Sequence, residues 1–396
     1  MTTTVRVTGE APALTRSGGH AGRVRVLYLA AFDVSRPTTG TSTRALQFLQ
    51  FLADRYDVHL VYMAPDDNAP APARPRLPEG LASVVRAPYS RLAYFLFSRG
   101  FLRTAEGVLR RQPVDVIVAD FEKSGLYGAL LSRRHGLPML YNSHDVEYRR
   151  YLSLGRHDWR RIALAPAMYA AERWAASVSR QVVAITADDA AVFTRWVGAD
   201  RVSVAPGGFD EEVHHPFYPR PRNGDAPRIL FVGNMCYPPN REAVEVTRAR
   251  VMPAVLARHP RALFQFVGAY PPGLDDGHPS AQFTGFVEDL VPYLRQADVV
   301  ISPVLRGGGM RIKTVEALAC GKPVVATEKG AEGIAAGGLR SLTVVPLARF
   351  ADAVDQVLRR DEPVSDGDFE FLRATYSSRA VLERFAARLD AVVARR

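Results

Sequence analysis

Arg306-Gly307-Gly308-Gly309-Met310-Arg311-Ile312-Lys313-Thr314-Val315-Glu316-Ala317-Leu318-Ala319-Cys320-Gly321-Lys322-Pro323-Val324-Val325 follows the apolar run Asp298 to Pro303. It reads as a strand end, a triple-glycine loop, a helix running to Cys320, a Gly321 cap and a new strand from Pro323. Glycines let backbone N–H groups approach a bound anion closely, and a helix N-terminus adds partial positive charge beside it. Arg306, Arg311 and Lys313 add full charges around the loop, and Lys313 and Glu316, three residues apart, share a helix face. The reading is a phosphate site in an α/β sheet. Seen alone, the loop also fits a glycine turn with a surface ion pair.

The same strand, loop, helix alternation extends on both sides. Arg228 to Val232, Ala262 to Val267 and Gln282 to Phe286 are strand-length runs, with helical spacing at Asn240 to His259, Leu290 to Gln296 and Thr314 to Ala319. Towards the N-terminus, Val24 to Ala30, Asp57 to Met63, Val114 to Ala119, Pro138 to Asn142, Gln181 to Ile185 and Val202 to Ala205 read as strands. Thr41 to Asp54, Ser124 to His135 and Ile162 to Ser179 carry the helical pattern between them. Such alternation predicts parallel sheets covered on both faces, with ligands in the loops beyond the carboxyl ends of the strands.

A chain of 396 residues exceeds what one core usually serves, about 250–300 residues, so two domains are expected. The reading divides the chain into a tail over 1–22, a first unit over 23–213, a linker over 214–227, a second unit over 228–376 and a last helix over 377–396 that crosses back to the first unit. That helix shows an apolar stripe at Val381, Leu382, Phe385, Leu389 and Val392. The segment from Pro65 to Pro78 holds Pro70, Pro72 and Pro75 as well and cannot be helix interior.

Fifty-one Lys and Arg stand against 41 Asp and Glu, a net charge of +10 that favours anionic ligands or simply solvates an Arg-rich surface. Cys236 and Cys320 are the only cysteines and lack metal-ligand spacing, which fits a reducing, cytoplasmic setting. Nothing suggests a metal cluster: Asp188-Asp189 reads as a helix start after Thr186. The first 22 residues have no continuous apolar stretch of the kind a signal peptide needs, and no run approaches the roughly 20 apolar residues of a membrane span. Ser90 to Arg111 mixes Leu and Phe with five arginines, a pattern that suits a helix on an anionic membrane and equally one packed on a sheet.

The C-terminal half resembles the retaining GT-B glycosyltransferases of family 4. The residues that carry the resemblance are Phe231-Val232-Gly233, Phe283-Thr284-Gly285-Phe286-Val287, Tyr293 to Asp298, Ser302-Pro303 and Glu316 to Val325. The resemblance implies a fold of two Rossmann-like α/β domains facing a central cleft, and transfer of a sugar from a nucleotide-diphosphate donor, with no further cofactor. It implies that Glu316 holds the donor ribose, that Gly307, Gly308, Gly309, Met310 and Arg311 hold the diphosphate, and that Phe286 and Val287 lie beside the base, with Gly233 on the same donor site. Lys313 and Arg306 would stabilise the leaving group. In the N-terminal half the match is weaker: Gly40, in Thr39-Gly40-Thr41-Ser42, would face the phosphates, and His144, in Asn142-Ser143-His144-Asp145, would approach the transferred sugar.

The chain departs from that family in two places. An acid that often contacts the donor sugar is replaced by Gly308, and the usual basic pair after the first strand of the second domain is reduced to Arg241 as the nearest cation. The acceptor is open between a small molecule and a lipid-linked glycan, with peripheral membrane contact also open and nucleic acid not expected, since no recognised binding module is present. A nucleotide-sugar epimerase of the same fold, or an inactive nucleotide-binding scaffold, are the alternative readings.

Overall fold

The computed structural model describes residues 22–36, 40–64, 77–89, 97–153, 159–216, 226–360 and 366–395. The expected tail, most of the proline-rich segment and the centre of the 214–227 linker lie outside the described residues.

Seven strands form the first sheet: β1 (Arg25–Ala30), β2 (Asp57–Met63), β3 (Ser83–Ala87), β4 (Val116–Asp120), β5 (Met139–Asn142), β6 (Gln181–Ala184) and β7 (Val202–Val204). They run in the order β3-β2-β1-β4-β5-β6-β7, every pair parallel. Parallel neighbours need crossover helices, and these cover both faces of the sheet. Val26, Tyr28 and Ala30 meet Ala45, Phe48, Leu49 and Leu52 of the helix Gly40–Arg55 on one face. On the other, Leu27 and Leu29 join a core with Phe101, Ala105 and Val108 of the helix Arg99–Arg111. Two-sided burial explains why these strands are continuous apolar runs.

The second sheet has six parallel strands, β8 (Arg228–Val232), β9 (Leu263–Val267), β10 (Ala281–Gly285), β11 (Val299–Ser302), β12 (Val324–Ala326) and β13 (Leu342–Val344), in the order β10-β9-β8-β11-β12-β13. Leu230, Val300 and Val324 face Val315 and Leu318 of the helix Ile312–Ala319, while Ile229, Phe231 and Ile301 face Val244, Val255, Phe350 and Val354. The two doubly wound sheets match the expected fold class.

Sequence reading missed β3 and β13 and the helices Phe350–Arg359 and Asp366–Tyr376. Both strands are short sheet edges, and Arg86 interrupts the apolar run of β3. The expected helix from Asn240 to His259 is three pieces: Pro238–Val246, a π turn at Thr247–Val251, and Met252–Leu256. Pro253 supplies no N–H to the helical ladder, and the backbone widens in the turn before it.

The last helix, Ser378–Ala394, packs on the first sheet. Val381, Leu382, Phe385, Leu389 and Val392 belong to the same core as Val26 and Tyr28, and Phe385 meets Phe48 edge-on with ring centroids 4.7 Å apart. The chain thus passes between the two halves twice, and the two passages are bonded together. Phe209 N–H donates to Tyr376 O at 2.9 Å, and Ser378 N–H donates to Phe209 O at 2.8 Å. Gly208 has no room for a side chain, since a Cβ there would sit 2.7 Å from Ser378 Cα. The Arg99–Arg111 helix spends its apolar side on the core and exposes Arg99, Arg103, Arg110 and Arg111; the preceding residues 90–96 lie outside the described set. No described helix is long and apolar enough to cross a membrane.

Candidate functional site

In a doubly wound sheet the chain order reverses at one point, and the loops leaving the carboxyl ends of the two strands there splay apart to form a crevice. That point lies between β1 and β4 in the first sheet and between β8 and β11 in the second.

In the first sheet, β4 ends on Asp120, which is wholly buried. Its Oδ1 accepts the Asn142 side-chain N–H at 2.7 Å and lies 2.9 Å from His144 Nε2. An acceptor at that position selects the Nε2–H tautomer of His144 and leaves the Nδ1 lone pair free of Asp120. Phe32 and Phe121 pack edge-to-face against the imidazole. Phe121 holds a left-handed backbone, φ 74°, directly after Asp120, and is the one non-glycine residue described with positive φ. Bulky residues rarely accept this conformation, and such strain gathers where the surrounding structure must fix a turn. Asp120 Oδ2 is buried without a hydrogen bond.

Arg44 of the helix Gly40–Arg55 is buried near Asp120 and donates to Ala205 O and Pro206 O, both at 2.7 Å, with its guanidinium over the Phe48 ring. Burial lowers its pKa to about 10, with Asp120 and Tyr28 opposing the fall, so it stays charged at neutral pH. Sequence reading singled out neither Asp120 nor Arg44. An acid closing an apolar strand, Val116 to Asp120, was the available signal for the first.

After β5, Ser143 N–H donates to Val183 O, and the helix Glu147–Ser153 begins. Buried Glu172 caps that helix by accepting from Glu147 N–H at 2.9 Å and Tyr148 N–H at 3.1 Å. Burial raises the Glu172 pKa to about 8 against those two bonds. Arg150 on this helix is held by Glu147 and lies 3.9 Å from Asp145.

In the second sheet, β11 leads into the glycine loop, where Gly307 (φ 105°) and Gly309 (φ 81°) both need the left-handed region. Arg306 Nε donates to Glu242 Oε2 at 2.5 Å. Arg311 is largely buried; its Nε donates to Lys329 O at 3.0 Å, Glu332 lies 3.7 Å away, and burial lowers its pKa. Lys313 is half exposed, with Nζ 2.8 Å from Glu316 Oε2, and His214 Nε2 comes within 3.9 Å of the same oxygen. Gly233 leaves β8 with its carbonyl so close to Gly268 that a Cβ on Gly268 would sit 2.2 Å from it. A Cβ on Gly307 would be 3.5 Å from Tyr237 Oη and from Pro239, so the loops after β8 and β11 touch. Phe286 is 78% exposed just past β10, while Val287 packs partly on the core. Gly40 opens its helix in open space, and 37–39 before it lie outside the described residues.

The two crevices meet. A Cβ on Gly309 would stand 2.9 Å from Asp145 Oδ1, and one on Gly308 3.3 Å from the same oxygen and 3.6 Å from Arg150. Beside this contact, Gly207 of the crossing segment donates its N–H to Met310 Sδ at 3.2 Å. The Met310 side chain is therefore turned into the core with Ile185 and Phe209, and only its backbone remains with the glycine loop. Sequence-selected Lys313, Arg306, Arg311, Glu316 and Gly307 to Gly309 cluster at one crevice, and His144 lies at the other. Among the described residues no group of three or more His, Cys, Asp or Glu side chains is placed to hold a metal ion.

Two parallel sheets with opposed carboxyl-end crevices define an α/β protein of the GT-B class. Residues 38–213 match the model described as Glycosyltransferase Family 4, and residues 226–360 match Glycosyl transferases group 1. The chain belongs to this glycosyltransferase family. It is 29% identical over 241 residues to D-inositol 3-phosphate glycosyltransferase 1 of Catenulispora acidiphila, covering 54% of this chain and 56% of that relative, so the match spans little more than half the relative's length. The fold is similar to sucrose-phosphate synthase from Thermosynechococcus elongatus, with TM-score 0.74 and 18% identity over 94% of this chain and 100% of that one. It is also similar to HepE of Anabaena in complex with UDP-glucose, with TM-score 0.65 and 17% identity over 93% and 99% of the two chains.

Proposed function

We propose that this protein transfers a sugar from a nucleotide-diphosphate donor to an acceptor, with retention of anomeric configuration. The observation that carries the reading is the opposition of the two crevices. The glycine loop, Arg311 and the start of the helix Ile312–Ala319 face the loop that bears His144 and Asp145. A donor spanning the cleft would lay its diphosphate on Gly307 to Arg311, with Gly40 opposite, its ribose on Glu316, and its base beside Phe286 and Val287 near Gly233.

Lys313, with Arg306 and the helix N-terminus, would stabilise charge growing on the departing diphosphate. Arg306 must leave Glu242 to do so, and Lys313 must exchange Glu316 for phosphate. His144, held through Nε2, would present Nδ1 to the transferred sugar or its hydroxyls. The departing phosphate itself would take the acceptor proton, which accounts for a site without a dedicated base.

We assign residues 23–213 to the acceptor side and 228–376 to the donor side, joined through 214–227, with the last helix returning to the first half. The name of the Catenulispora relative makes a phosphorylated polyol the first acceptor to try, and the HepE complex makes UDP-glucose the first donor. The exposed arginines of the helix Arg99–Arg111 leave a lipid-linked acceptor at an anionic membrane within this reading, through charge alone, since that helix's apolar side is buried.

A thermal-shift panel of UDP, GDP, TDP and ADP with their sugar conjugates tests the proposal, since a ligand that binds only the folded state raises its melting temperature. A selective shift followed by acceptor-dependent turnover supports it. Conversion of the donor with no acceptor present would instead indicate an epimerase, and no shift with any nucleotide would reject the donor site.

A further inference from the structure

We propose that Asp145 grips the sugar of the bound donor, acting from the first half of the molecule on a ligand seated on the second half's glycine loop. This rests on the donor reading above. Three observations carry it. The Asp145 carboxyl reaches across the cleft to the glycine loop, where a Cβ on Gly309 would sit 2.9 Å from Oδ1 and one on Gly308 3.3 Å. Among the described residues it receives no hydrogen bond, and its one ion pair is with Arg150 at 3.9 Å, an arginine already committed to Glu147. The side chain keeps 20% of its surface exposed, so a ligand can reach it.

Charge is distributed along the loop with a polarity. Arg311 and Lys313 stand at the start of the helix Ile312–Ala319 and suit a diphosphate, whereas the Asp145 carboxyl beside Gly308 and Gly309 adds no positive charge and suits hydroxyl groups. The two ends therefore orient a nucleotide sugar, with phosphates towards the helix and the sugar ring under Asp145. Burial, with Glu147 adding to it and Arg150 opposing, pushes the Asp145 pKa up to about 8. At neutral pH the carboxyl holds its proton, and such a group both donates and accepts, as a polyol requires. A side chain at position 308 would crowd that carboxyl, since its Cβ would sit 3.3 Å from Asp145 Oδ1.

The test is calorimetric titration at pH 7 of wild type, Asp145→Ala and Asp145→Asn with three pairs: UDP and UDP-glucose, GDP and GDP-mannose, ADP and ADP-glucose. For the pair that wild type binds, Asp145→Ala should weaken the sugar conjugate about 10-fold or more, as loss of a strong hydrogen bond does, and change the bare diphosphate less than twofold. Equal weakening of both members would make Asp145 a prop for the loop, and no weakening of either would remove it from the site; each result overturns the proposal. Asp145→Asn, whose amide likewise donates and accepts, should keep the ratio of conjugate to diphosphate affinity near that of wild type; should the alanine variant fail to fold, Asp145→Val decides, because an unchanged ratio there also overturns the proposal. Wild type that binds none of the pairs, nor TDP and its sugar conjugate, fails the donor reading itself, and this inference with it.

Discussion

His144 and Asp120 are joined by a single contact, Nε2 to Oδ1 at 2.9 Å, with both side chains at most 5% exposed. An imidazole fixed on one nitrogen presents the other in one direction, so Asp120 sets the orientation of the His144 ring.

Asp120→Asn keeps the shape and removes the charge-assisted acceptor. Turnover should fall by about 1.5–3 kcal/mol of transition-state stabilisation, roughly 10- to 100-fold, and the melting temperature should fall as well, because buried Arg44 loses the neighbouring charge that favours its own. Steady-state kinetics beside a melting curve separate the two effects. Wild-type turnover in a folded variant would free His144 from any dependence on Asp120.

Lys313 and Glu316 pair with each other, and a bound donor should separate them. Lys313→Ala should lower turnover about 100- to 1000-fold if the ammonium meets charge developing on the leaving group. Glu316→Ala should mainly weaken donor binding, by about 1.5–3 kcal/mol. Turnover numbers and donor titrations on the two variants give opposite patterns if these roles hold, and identical patterns if the pair is only a surface ion pair.

Phe385 is wholly buried against Phe48, where the last helix rests on the first sheet. Replacing it with alanine leaves a cavity and should cost about 3–5 kcal/mol, seen in urea unfolding. A loss below about 1 kcal/mol would mean that the helix contributes little to holding the halves together.

Glu172 sits wholly buried with its pKa raised from the usual carboxylate range to about 8. Its folded form keeps a proton that the unfolded chain releases near pH 4.5, so the stability it contributes is complete below that pH and is lost as pH rises through about 8. Glu172→Gln cannot titrate. The gap in unfolding free energy between wild type and this variant should favour wild type most at pH 5 and shrink or reverse by pH 8. A gap independent of pH would mean that Glu172 is ionised in the folded protein at pH 5.

The alternation of strands and helices was legible in the sequence because both faces of each sheet are covered, which forces apolar runs such as Val116 to Ala119 and amphipathic helices between them. The glycine loop and the helix after it were legible because their glycines and cations are contiguous. Asp145 against Gly308 and Gly309, Arg44 on Ala205 and Pro206, and His214 beside Glu316 were not, since each depends on how distant elements dock. Arg306 looked free in sequence, and only the packing of the helix Pro238–Val246 brings Glu242 to it. The side chain of Met310 was equally opaque, because its partner, Gly207, belongs to the segment joining the halves.

That segment also braces the start of the helix after the glycine loop. A Cβ on Gly207 would lie 1.7 Å from Ile312 Cδ1, so the backbone of the joining chain rests directly on the first residue of the helix Ile312–Ala319. The end of the cleft that offers positive charge is thereby aligned by the connection itself, whereas the contact of Asp145 with the glycines joins the two halves away from that connection. On the donor reading proposed above, phosphate would be met by a part of the cleft that the joint itself sets, and the sugar by a contact that the docking of the two halves sets.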